Sequence, residues 1–241
     1  MANNSITIRA SNFLYPTREE RKLLSEDYPG LSIFNFKATN IVESILEMGE
    51  SLVEVHKKDN LYWWDNCLQG RLWNLYQSYI NTATHFNRGI ADGKKIKYDD
   101  TTATTLLQFK FYCETFYYYY FSTRDIILHI LNVYFTLGID EHNVKFKVVN
   151  DKMIDAETKN ILTVFYDQTK KASKIRNAFA HKFPVNRPDY RTILETAEGN
   201  TTLGPKGGNC IKDSELMEDI QDSLKSLSSF MEALQKRLTE S

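Results

Sequence analysis

The sequence predicts an all-α protein: a helical bundle of about five main helices, in a single domain over residues 1–241 with its core at about 39–238. Three observations point there. Ten glycines and five prolines in 241 residues are too few for the turns of a β sandwich or barrel. Several stretches place apolar residues three and four apart, the spacing of one helix face. The most apolar of them, 101–137, is far too long to be one strand. With 42% hydrophobic and 25% charged residues, the chain has a globular composition and enough length to bury a core.

Residues 1–36 are mixed. Ser5–Ala10 alternates like a short strand, and Tyr15-Pro16-Thr17 ahead of Arg18-Glu19-Glu20 reads as a helix start. A first main helix is expected from Thr39, with Ile41, Ile45, Leu46, Met48, Leu52 and Val53 on one broad apolar face. The second runs from about Leu61 to Ile90, where Trp64, Leu68, Leu72, Leu75 and Tyr79 repeat at three or four, and closes in a loop with Gly93, Lys94, Lys95 and Lys97. The third, about Thr101–Leu137, is apolar nearly all round, as a central bundle helix is, and stops at Gly138. Val144–Val149 alternates and reads as a short β excursion. A fourth helix is expected over about Ala156–Phe183, capped by Asp155 and ended by Pro184. Residues 184–212, rich in Pro and Gly, read as a long linker-like loop. The last helix, about Asp213–Leu238, carries Leu216, Ile220, Leu224, Leu227, Met231 and Leu234 at near-heptad spacing.

Composition also excludes functions. Thirty basic against thirty-one acidic residues argue against indiscriminate phosphate binding, while leaving room for a local basic patch. Cys67, Cys113 and Cys210 are odd in number, distant and without a CxxC pair, so neither a disulfide framework nor a zinc site is expected. The N-terminus shows no signal-peptide pattern, and Lys110, Glu114, Arg124 and Asp125 interrupt the longest apolar stretch. A cytoplasmic protein with no membrane span is therefore expected.

One constellation carries chemistry: Arg176-Asn177-Ala178-Phe179-Ala180-His181, late on the fourth helix. An imidazole can take the proton of an RNA 2′-hydroxyl or return one to the leaving oxygen. A guanidinium can bind two phosphate oxygens and balance the charge growing on them, and the amide can hold either group in place. These are the groups of phosphoryl transfer without a metal, and no cofactor is expected. Arg-Asn-x-x-x-His has a chance expectation of roughly 0.015 in a chain of this composition. The looser Arg-x4-His spacing also occurs at Arg124 to His129, where Arg124 and Asp125 read as a supporting pair and His129 as a core histidine. On an ideal helix Asn177 and His181 lie roughly 40° apart, but Arg176 and His181 roughly 140°. Either the last turn unwinds, or a second copy of the helix completes the site. Ala172, Ser173 and Ala180 are small enough to let a second helix approach, and a two-fold dimer would meet both needs.

The six residues, in an all-α chain, resemble the Arg-x4–6-His signature of the HEPN superfamily (higher eukaryotes and prokaryotes nucleotide-binding). The resemblance implies a helical bundle that dimerises so that two motifs share a cleft. It implies a metal-independent endoribonuclease acting on an RNA substrate, of the kind found in toxin–antitoxin, abortive-infection or antiviral systems. Arg176 and His181 would be catalytic and Asn177 would position. An antitoxin or nucleotidyltransferase partner is implied as well. Many toxin members, however, carry a tyrosine shortly after the histidine for that partner to modify, whereas Lys182-Phe183-Pro184 follows here and the next tyrosine is Tyr190.

Lys174 and Lys182, with Lys170 and Lys171, flank the motif and could guide a phosphate backbone, though cations also suit a helix C-terminus. Asp125 and Asn132, seven apart on one helix, are candidates to hold Arg176. Within Tyr117–Tyr120 most rings are expected in the core rather than stacking bases, and Trp63, Trp64 and Trp73 are expected to pack. The competing reading is a non-catalytic helical module that binds nucleotide or a partner protein.

Overall fold

The computed structural model describes residues 9–46, 49–89, 99–197 and 200–239. The class is all-α, with eight helices and one small hairpin among the described residues. In chain order these are α1 (Arg18–Glu26), α2 (Ile41–Leu46), α3 (Leu52–Asn87), α4 (Asp100–Tyr134), α5 (Phe146–Lys152), α6 (Ala156–Gln168), α7 (Lys170–His181), β1 (Thr192–Ala197), β2 (Asn200–Pro205) and α8 (Asp213–Thr239). Side-chain caps stand at the starts of several of these helices. Glu20 N–H bonds Thr17 Oγ1 and Thr17 N–H bonds Glu20 Oε2, a reciprocal box at α1. Ser51, Asp99 and Asp155 accept from the third residue onward at α3, α4 and α6.

The chain forms two compact units. The first holds Met1–Glu26, Tyr79–Tyr117 and Lys171–Asp222. Its core includes Tyr79, Ile80, Phe109, Phe116, Tyr117, Ile175 and Ile220, all buried. The segment before α1 is tied down by Arg88, whose guanidinium donates to the carbonyls of Leu14 and Tyr15 and pairs with Glu20. The second unit holds Asp27–Ser78, Tyr118–Lys170 and Ser223–Ser241. There Phe165 stacks on Phe230 with centroids 4.0 Å apart, and the buried Asp65 receives the backbone N–H groups of Phe34 and Phe36. The last helix matches expectation: all six of its repeating apolar residues, Leu216 to Leu234, are buried.

Several expectations need correction. The expected first helix is broken: α2 stops at Leu46 and α3 starts at Leu52. The register linking the two apolar sets is lost, so Ile41, Leu46, Leu52 and Val53 are exposed and Val55 is the buried residue of the first turn of α3. Val144–Val149 is not a β excursion. Phe146, Val149 and Met153 repeat at helical spacing: α5 buries Val149, its C-cap Met153 is buried as well, and Phe146 stacks on Tyr166. The strand lies instead in the expected loop, where β1 and β2 pair antiparallel with Leu194 opposite Leu203. Both faces of this hairpin are exposed, so it leaves no alternation to read. The fourth helix is two. Thr169 turns its hydroxyl back to the Tyr166 carbonyl, competing with the backbone ladder, and α7 begins afresh after it. Trp63 and Trp73 are exposed rather than packed, whereas Trp64 stacks on His129 at 4.1 Å. The expected alternation at 5–10 lies mostly outside the described residues, as do Met48 and the loop carrying Gly93 and Lys94–Lys97.

Candidate functional site

Helix α7 belongs wholly to the first unit except for Lys170. Its inner face is small and apolar: Ala172, Ile175 and Ala178, three apart, are buried. Ala172 is therefore a core residue and offers no surface to another helix, while Ser173 is half-buried and Ala180 exposed. Three contacts fix the helix. Phe179 packs on the Tyr117 ring of α4 at 5.8 Å. The Tyr117 hydroxyl donates to Asp219 of α8 at 2.6 Å. Lys171, in the first turn, pairs with the other oxygen of the same carboxylate at 3.4 Å. The buried carboxylate accepts the tyrosine hydroxyl in a short charge-assisted hydrogen bond and faces the exposed ammonium as an ion pair.

The outer face presents the predicted residues. Asn177 and His181 are exposed, and Arg176 sits half-buried on the shoulder. The Arg176 guanidinium bends round to donate to the Asn177 side-chain oxygen at 3.1 Å. This bond shortens the angular gap that an ideal helix leaves between Arg176 and His181, because Asn177 shares the histidine's face. His181 closes the helix, and the ladder continues one bond further, from Lys182 N–H to the Ala178 carbonyl. The last turn does not unwind before Pro184. Among the described residues no side chain bonds the His181 ring.

The flanking cations divide into two pairs. Lys170 pairs with Asp167 and Lys171 with Asp219. Lys174 and Lys182 are exposed and make no ion pair among the described residues, which leaves their charge open to an incoming anion. Arg124 and Asp125 bind each other at 2.6 Å, in the second unit. Asn132, the other candidate support, is committed to both the N–H and the carbonyl of Ile139. Of the four tyrosines, Tyr117 and Tyr120 are fully buried and Tyr118 is exposed. Among the described residues no three His, Cys, Asp or Glu side chains are grouped to hold a metal, and no helix is long and apolar enough to cross a membrane.

Sequence reasoning did not reach the turn after α7. There Asn186 is buried, its carbonyl accepts from Lys110 of α4 at 3.1 Å, and Arg187 beside it is exposed. Only the pairing of residues distant in sequence reveals that this turn is structured.

Compared with known proteins, residues 64–240 match the model of a family described as Cthe2314-like HEPN. No curated protein and no solved structure matches the chain.

Proposed function

We propose that this chain, which belongs to the Cthe2314-like HEPN family, is a metal-independent endoribonuclease whose site is the outer face of α7. The observation that carries this reading is the exposed face itself: a guanidinium held over Asn177, with the unpartnered imidazole of His181 one turn on. A module that kept His181 for structure would bury and bond its ring. Here the structural contacts of α7 fall to Phe179, Lys171 and the small inner residues.

In the proposed reaction the 2′-oxygen of one nucleotide attacks the adjacent phosphorus, and the bond to the 5′-oxygen of the next breaks. His181 removes the 2′-hydroxyl proton and, as the imidazolium, returns a proton to the leaving 5′-oxygen. The products are a 2′,3′-cyclic phosphate and a free 5′-hydroxyl. Arg176 balances the charge that builds on the phosphoryl oxygens, and Asn177 holds the guanidinium. Lys174 and Lys182 draw in the strand. A second copy of α7, brought up by a two-fold homodimer, completes the cleft. We infer a toxin–antitoxin or antiviral defence setting, in which an antitoxin would restrain the activity by a route other than nucleotidyl transfer to a tyrosine beside His181, where none stands.

The test is cleavage of a mixed RNA in excess EDTA. Wild type should cut, and His181→Ala and Arg176→Ala should each lose at least a hundredfold. Equal cutting by either folded variant would overturn the assignment.

A further inference from the structure

Beyond α7 the chain turns through Phe183–Arg187, and Asn209–Ile211 lies against that turn. Between them is a cleft of about 350 Å³. Its walls are tied to each other by Ile211 N–H to the Val185 carbonyl, 2.8 Å, and Gly208 N–H to the Asp189 carbonyl, 3.1 Å. The turn is closed by Arg187 N–H to the Pro184 carbonyl, 3.2 Å, and anchored by Lys110 through Asn186. Gly208 takes φ +72°, and a Cβ there would run into the Tyr190 ring, so the close approach needs glycine. The cleft is thus formed in advance of any ligand.

Its lining combines apolar wall with a few polar and charged groups. Phe183, Pro184, Val185 and Ile211 supply apolar wall. Asn209 is exposed and its amide, with both donor and acceptor, is uncommitted among the described residues. The one acid on the wall, Asp189, is already taken up by Arg191 and Lys206. Arg187 has no such partner among the described residues: Glu114 of α4 feels its charge but forms no ion pair with it. An exposed guanidinium beside an apolar cleft matches a phosphate joined to a base. Position adds to this, since Phe183 follows His181 by two residues, or at most ~7 Å along the chain.

We propose that this cleft binds the RNA nucleotide flanking the cleaved phosphodiester, Arg187 holding its phosphate and Asn209 reading its base edge. The inference rests on the ribonuclease reading for its place in the reaction, but its binding can be tested separately.

The probe is a short single-stranded RNA, uncut because every 2′-position is O-methylated, titrated against full-length wild type and Arg187→Gln over a range of salt. The variant should bind about five- to tenfold more weakly at low salt, and its slope of log K against log salt should be smaller by about 0.7, the loss of one phosphate contact. With cleavable RNA most of its loss should appear in KM. Asn209→Ala should change the preference among bases with an unchanged salt slope. A folded Arg187→Gln that keeps the wild-type slope and KM overturns the cleft while the nuclease stands. Wild type that binds the methylated RNA but cuts nothing overturns the nuclease, and the salt slope still decides the cleft. Wild type that does neither overturns both. Adenosine monophosphate binding as tightly as the oligonucleotide would overturn a strand site in favour of a free-nucleotide one.

Discussion

His85 has no exposed surface and no hydrogen-bond partner for either ring nitrogen, and it stacks on Tyr112 with centroids 5.9 Å apart. Burial, helped by the charge of Arg88, lowers its pKa from 6.5 to about 4. The folded protein holds this ring neutral where the unfolded chain would protonate it. Its contribution is fully present above pH 6.5 and is lost as pH falls from 6.5 towards 4, by about 3 kcal/mol at the lower end. Urea unfolding at pH 7.5 and 4.5 should show that loss in wild type, and His85→Gln should remove much of it. His129, also lowered by burial, adds in the same direction, so some pH dependence should survive the substitution. A variant with the full wild-type difference would show that His85 does not drive it. Residues also mark the limit of sequence reading at the site. The candidates Arg176, Asn177 and His181 could be picked out because six consecutive residues of one helix contain them. Arg187 and Asn209 were not, because only the folded turn brings them to one cleft.

At the scale of elements, Asp155 does two jobs. Its carboxylate caps α6 by accepting from Thr158 N–H at 2.9 Å and receives Arg237 of α8 at 2.7 Å. The Arg237 hydrogen bond, with those of Thr158, holds its pKa well below the usual carboxylate range. A lowered carboxylate contributes above its unfolded pKa of about 4 and loses that contribution as pH falls below it. Asp155→Ala should cost about 1–2 kcal/mol at pH 7, and Asp155→Asn less, because an amide oxygen still caps. Equal midpoints in guanidinium chloride for wild type and alanine variant would refute this role. The cap at Asp155 was legible, since a carboxylate before an apolar helical run is a local signal. The break at Thr169 was not: its neighbours keep helical spacing on either side, and only the hydroxyl bond to Tyr166 marks it. The hairpin was hidden for the opposite reason. Leu194 and Leu203 face each other in the open, so no buried side imposes a pattern. At Val144–Val149 two periods competed, and burial of Val149 and Met153 decided for the helix.

For the molecule as a whole, the all-α class followed from long-range composition, few glycines and prolines and long apolar stretches, and it survives every local correction. The proposed dimer makes a sharper demand. If the cleft takes its arginine from one protomer and its histidine from the other, mixing inactive Arg176→Ala and Arg-intact His181→Ala proteins creates heterodimers with one intact site. Activity should return to about one quarter of wild type, from half of the dimers and one of their two sites. A mixture that stays silent after subunit exchange would place both groups in the same protomer. Helix α7 carries a longer consequence. Ala172, Ile175 and Ala178 serve the core, Asn177 and His181 stand exposed on the other side, and Arg176 sits half-buried between the two sets. The packing of the helix and the chemistry proposed for it therefore rest on different side chains. If the proposed reaction does run on the outer residues, a substitution there would silence it and leave the packing of α7, and with it the fold, as it is.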